Sequence, residues 1–177
     1  MSKIILKNVR LSFPSLYETE VYNGMDTGKY AASFLIEKDT ELGNLVRDTV
    51  TKVAEEKFGA KPKGVKYCLK DGDSPEIEYN GYEGMWAIKA NTKKRPTLIN
   101  KDKSPIAEAD GILYAGCYVN ASIEVYAMDN QWGKRVGCQL NGIQFVKDGE
   151  SFGGGGNAMD DFDDLGGDDQ FDDDNPF

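Results

Sequence analysis

The chain has 177 residues, 40% hydrophobic and 29% charged, with three cysteines, no histidine and a formal net charge of -9; that length carries one domain with a real core rather than two. The missing histidine excludes His-based acid–base chemistry, most zinc sites and the usual catalytic triads. No run of about 18 apolar residues provides a membrane helix, and Met1–Lys7 is too briefly apolar for a signal peptide, so a cytoplasmic protein is expected.

The chain is expected to open with a strand in which Val9, Leu11 and Phe13 alternate with Arg10 and Ser12, ended by Pro14. A polar loop with Gly24 and Gly28 leads to a second strand, Tyr30–Glu37. Leu42, Leu45, Val46, Val50 and Val53 then recur at helical spacing over residues 40–58, with Asp39 or Thr40 to cap the start and Gly59 to end it. Residues 60–83, rich in Gly, Pro, Lys and Asp, read mostly as loop, and include Lys61, Lys63 and Lys66 as a small basic patch. Short strands follow at 85–91 and 97–100. The longest come last: Tyr114–Met128 alternates cleanly, and Arg135–Val146 follows a polar turn over 129–134. Val136, Cys138 and Leu140 keep one parity while Ile143 and Phe145 keep the other, so Asn141-Gly142 marks a bulge or corner. Cys68, Cys117 and Cys138 show no CxxC spacing and are expected as reduced thiols buried like small apolar groups.

These elements predict a mainly β protein with one amphipathic helix, an OB-fold-like five-stranded barrel over residues 1–150; an open sandwich is the competing architecture. Residues 151–177 differ in kind. They hold nine aspartates and no Lys or Arg, leaving 21 acidic and 21 basic residues in a neutral body. A Gly-rich linker and a block of like charge with few apolar residues predict a disordered acidic tail.

The polar face of the strand over 114–128 carries Tyr114, Tyr118 and Tyr126. Rings on an open sheet face are what unpaired bases stack on, though such rings also cover neighbouring elements. Trp132, at a hairpin tip before Lys134 and Arg135, either grips a base beside its phosphate or folds back on the barrel. Tyr82 and Trp86 lie in the segment 81–89, where the parity Trp86 shares with Ile88 favours a core role for that ring. Lys89, Lys93, Lys94 and Arg95 form the densest basic run, able to track a phosphate backbone or simply to solvate a loop, and Arg10 is a lone candidate on the first strand. Asp71, Asp73, Glu76 and Glu78 would suit a Mg²⁺ nuclease on residue type alone, but in a loop without histidine they read as turn residues, and no cofactor or metal is expected. At the end, Asp172, Asp173 and Asp174 precede Pro176 and Phe177: a terminal ring with a free carboxylate, suited to an apolar pocket rimmed by cations.

That tip resembles the acidic Asp-Asp-Asp-Ile-Pro-Phe end of bacterial single-stranded DNA-binding proteins, with Asn175 in place of the apolar residue. The stretches Asn8–Phe13, Leu69–Asp73, Arg95-Pro96 and Tyr114–Tyr118 are similar to the single-stranded DNA-binding proteins of tailed phages. The resemblance implies an OB-fold, sequence-independent protection of single strands in phage replication or recombination, and no enzyme activity. It implies, for a phage protein, the cytoplasm of a bacterial host. The tail's chemistry adds the expectation of partner proteins (a polymerase, helicase or nuclease), with no membrane and with a homodimer left open. The competing reading is a non-enzymatic phage structural or interaction protein without DNA affinity.

Overall fold

Alternation of buried and exposed side chains builds the body of the protein, and breaks in that alternation shape its surface. The computed structural model describes residues 2–77, 79 and 81–152. In chain order these form β1 (Ser2–Ser15), β2 (Val21–Tyr22), β3 (Met25–Asp26), β4 (Tyr30–Glu37), α1 (Glu41–Phe58), β5 (Val65–Tyr67), β6 (Leu69–Asp71), β7 (Met85–Thr92), β8 (Thr97–Ile99), β9 (Tyr118–Asn130) and β10 (Gly133–Lys147). The expected tail, with Asp172, Asp173, Asp174, Pro176 and Phe177, lies outside the described residues.

The five long strands close a ring. β1 pairs antiparallel with β4 and β9, β4 with β7, and β9 with β10. A parallel bridge between Gln139 of β10 and Asn91 of β7 joins the two ends. This is an OB-like barrel, mainly β with a single α-helix among the described residues. Residues 60–83, read from the sequence as loop, contain two three-residue strands that staple the seam. β5 runs parallel to β10 and β6 antiparallel to β7. Between them, Cys68 donates its N–H to Val136 O (2.9 Å) and accepts from Lys89 N–H (3.0 Å). Strands this short have no periodicity to detect; their partners define them.

Leu6, Leu11, Phe34, Ile88, Val119, Ile123, Leu140 and Ile143 are fully or almost fully buried in one core. Helix α1 adds Val46, Val50 and Val53 to that core, while Leu45, counted in the stripe from spacing, is exposed. The Thr40 hydroxyl caps the helix by accepting from Gly43 N–H at 3.0 Å. Gly43 is needed for the fit: a Cβ there would stand 2.2 Å from the Glu37 carbonyl oxygen.

Two irregularities break the alternation of β1. A register shift between Leu6 and Val9, with Asn8 at φ 54°, lets both flanking residues face inward. A second shift between Ser12 and Ser15, with Phe13 at φ 45°, buries Ser12 and turns Phe13 outward, and the strand continues past Pro14 to Ser15. On β9 the inward set Val119, Ala121, Ile123 and Val125 matches the sequence pattern, but the strand starts at Tyr118: residues 114–117 form a turn with Gly116 at φ 113°. The β9–β10 turn is only Gln131-Trp132, tighter than expected, and the register shift at Asn141-Gly142 falls where the change of parity puts it. No helix among the described residues is long and apolar enough to cross a membrane.

Candidate nucleic-acid interface

A groove of about 960 Å³ runs along the outer face of β4 and β7. Ser33, Ala87, Lys89 and Asn91 make its floor. One wall is the β2–β3 hairpin, whose turn Asn23-Gly24 takes left-handed φ values of 52° and 78°. The other wall is formed by residues 66–70 and the start of β10, crowned by the β9–β10 tip. Tyr22 on the hairpin is 65% exposed and Trp132 on the tip is 76% exposed. At one end Phe13, 50% exposed, meets Tyr79 edge-to-face at 4.8 Å, and Tyr79 lies 5.3 Å from Tyr82. Tyr82 itself is buried: its hydroxyl shares a 2.7 Å hydrogen bond with Ser12 Oγ, and burial pushes its phenol pKa up, so it backs the exposed pair. Tyr126 lies over Gly137, where a Cβ would meet the ring at 2.6 Å; burial raises its phenol pKa as well. Lys66, Lys70, Lys134 and Arg135 line the groove and make no ion pair among the described residues, while Lys89 is paired with Glu20.

Of the residues singled out from the sequence, Tyr82, Lys89, Tyr126, Trp132, Lys134 and Arg135 lie in this groove. So do Lys66, Asp71 and Glu76; the other candidate DNA contacts lie elsewhere. Arg10, Tyr114 and Tyr118 hold residues 148–152, across the boundary at 150/151 where the sequence reading ended the folded domain and began the linker. Arg10 Nε donates to Gly116 O (3.1 Å), its terminal nitrogen donates to Glu150 O, and its guanidinium stacks 4.2 Å above the Phe152 ring. The Tyr114 hydroxyl accepts from Gly149 N–H at 3.0 Å, and its pKa is raised chiefly by burial. Two cations lie over the Tyr118 ring, Arg10 at 5.6 Å and Lys147 at 4.8 Å from its centre. Trp86 is half-buried beneath Lys38, whose ammonium also binds Asp71 and Asp73. Those two carboxylates, held below the usual range by Lys38, therefore converge on a lysine rather than on an open cation site. Lys93, Lys94 and Arg95 are exposed on the turn after β7, outside the groove lining, with Arg95 donating to Tyr17 O at 3.2 Å.

The family model described as Enterobacter phage Enc34, ssDNA-binding protein, matches residues 2–175. The chain belongs to this family. Protein p50 of Acyrthosiphon pisum secondary endosymbiont phage 1 is 43% identical over 175 residues, covering 92% of this chain and 94% of that protein. The Enc34 single-stranded DNA-binding protein in complex with ssDNA superimposes with a TM-score of 0.73 at 29% identity, covering 86% of this chain and 90% of that one. The crystal structure of gp2.5, a single-stranded DNA binding protein encoded by bacteriophage T7, gives a TM-score of 0.63 at 11% identity, covering 88% of this chain and 97% of that one, a likeness of fold.

The sequence reading missed Phe13, Tyr22, Tyr67 and Tyr79, all lining the groove. Tyr22 had a signal: Tyr22-Asn23-Gly24-Met25 carries the Asn-Gly pair that favours a tight hairpin, which would have lifted it from the loop. Phe13 had none, because alternation places it inward and only the bulge turns it out.

Proposed function

We propose that this chain binds single-stranded DNA without sequence preference, laying the strand along the β4–β7 groove, in the service of phage DNA replication or recombination. The observation that carries the reading is the groove's chemistry: exposed rings on both walls, with unpaired cations beside them. Every base offers a π-face, so stacking worth about 1–3 kcal/mol per base is indifferent to sequence. Phosphates meet Lys66, Lys70, Lys134 and Arg135, and that attraction weakens as salt rises. Family membership supports the same ligand.

The acidic tail competes with the strand and, once displaced, recruits replication or recombination proteins through its Pro176-Phe177 tip. Its point of departure supports this. Phe152 packs with Leu35, Tyr82 and Ala87, and the last two line the groove, so the described chain ends beside the groove. A random coil the length of residues 153–177 would span roughly 30 Å, enough to bring the tail's aspartates among the groove cations.

The test is anisotropy of labelled oligo-dT with the full chain and with a chain ending at Gly156. The shortened chain binds more tightly at low salt, and the advantage shrinks as screening grows. Equal affinities at every salt concentration contradict the tail's role, and no binding by either chain contradicts the function itself.

A further inference from the structure

Lys89 rises from the middle of β7 into the groove floor, between Ala87 and Asn91 on its own face and opposite Ser33 of β4. Its ammonium holds both carboxylate oxygens of Glu20, at 3.0 and 2.7 Å. The four other groove cations named above make no such pair among the described residues. Glu20 does not belong to the floor. It reaches in from the base of the β2–β3 hairpin, where its N–H donates to Lys29 O (2.7 Å) and its carbonyl accepts from Thr27 N–H (2.8 Å). The carboxylate is thus aimed from a fixed frame, and its side chain is only 20% exposed. Two anionic oxygens on one ammonium reproduce what a phosphodiester would present there.

We propose that Lys89 is a phosphate subsite of the groove and that Glu20 is its built-in occupant, displaced by the backbone of the bound strand. The proposal rests on the reading of the groove as a single-strand site. It adds a selectivity filter. A lone anion at Lys89 gains only what Glu20 already supplies, whereas a strand also stacks on the rings beside it. The same exchange releases the hairpin from the floor at the moment a strand arrives, freeing Tyr22 to follow the base it meets.

The test uses the full chain with Glu20→Gln and Lys89→Gln. In anisotropy titrations with oligo-dT at low salt, Glu20→Gln binds about threefold to fivefold tighter than wild type, the scale of one partly exposed ion pair. In ¹³C NMR of the wild-type chain, saturating oligo-dT moves the Glu20 carboxylate resonance to the position it holds in Lys89→Gln. A Glu20→Gln chain that binds no tighter overturns the proposal, since a pair that merely braced the hairpin would lose affinity when broken. A Glu20 resonance unmoved by saturating DNA overturns it as well. Both outcomes differ from failure of the wild-type chain to bind oligo-dT at all, which would remove the function on which the subsite depends.

Discussion

Phe13 is held at φ 45° in the middle of a bulge, and that one backbone angle takes its ring out of the core and sets it against Tyr79. Bulges re-aim side chains in this way beside functional surfaces. Replacing Phe13, Tyr22 or Trp132 by Ala is expected to weaken oligo-dT binding by about 1–3 kcal/mol each, measured by anisotropy, because each removes a stacking surface. Tyr114→Phe should leave that affinity unchanged, since its hydroxyl serves Gly149 and lies away from the groove lining. At this scale the sequence identified chemistry better than position. Trp132 and Tyr126 were legible because a hairpin tip and a clean alternation define where a ring points. Arg10 and Tyr118 do lie on the outer side of their strands, whereas Tyr114 sits in the turn before β9; alternation does not say what covers a face, and here the chain's own residues 148–152 cover it.

The longest hairpin was legible as an element, down to the parity change at Asn141-Gly142, because thirty residues of alternation leave little freedom of register. β5 and β6 were not, since each depends on a distant partner strand to exist. The helix illustrates a different dependence. Its first turn is pressed so closely on the end of β4 that Gly43→Ala drives a methyl group against the Glu37 carbonyl. The expected cost is about 1–3 kcal/mol, read as a lower urea midpoint at unchanged slope. Lys38, just before the helix, ties that corner to Asp71 at the end of β6 and to Asp73 beyond it. Hydrogen bonds from Lys38 lower both carboxyl pKa values from 3.8. Depressed carboxyl values stabilise the fold above the unfolded pKa and stop doing so as pH falls through the folded values. Lys38 itself is shifted up from 10.5, so its share is present below that pH and lost on the far alkaline side. An Asp71→Asn, Asp73→Asn double variant is therefore expected to unfold at lower urea than wild type at neutral pH. The difference should shrink as pH falls below 3.8 and through the lowered folded values, where the wild-type carboxyls take up protons too.

On the scale of the whole molecule, a neutral body and an acidic tail divide the charge, and the groove, lined by five cationic and three acidic side chains, carries a positive excess that the net charge of -9 conceals. The closed ring holds the groove floor in register, while Tyr22 and Trp132 stand on its two projecting turns and Phe13 on the bulge of β1. Trp132 reports on this arrangement directly, because Trp86 is half-buried under Lys38 outside the groove lining and can be replaced by Phe to leave one tryptophan. Titrating the Trp86→Phe chain with oligo-dT while following its fluorescence is the most direct measurement. Saturable quenching that weakens steeply with salt, and that duplex of equal length reproduces poorly, is the predicted result. Fluorescence that stays constant at low salt while an independent signal reports bound DNA would place the strand elsewhere and contradict the account.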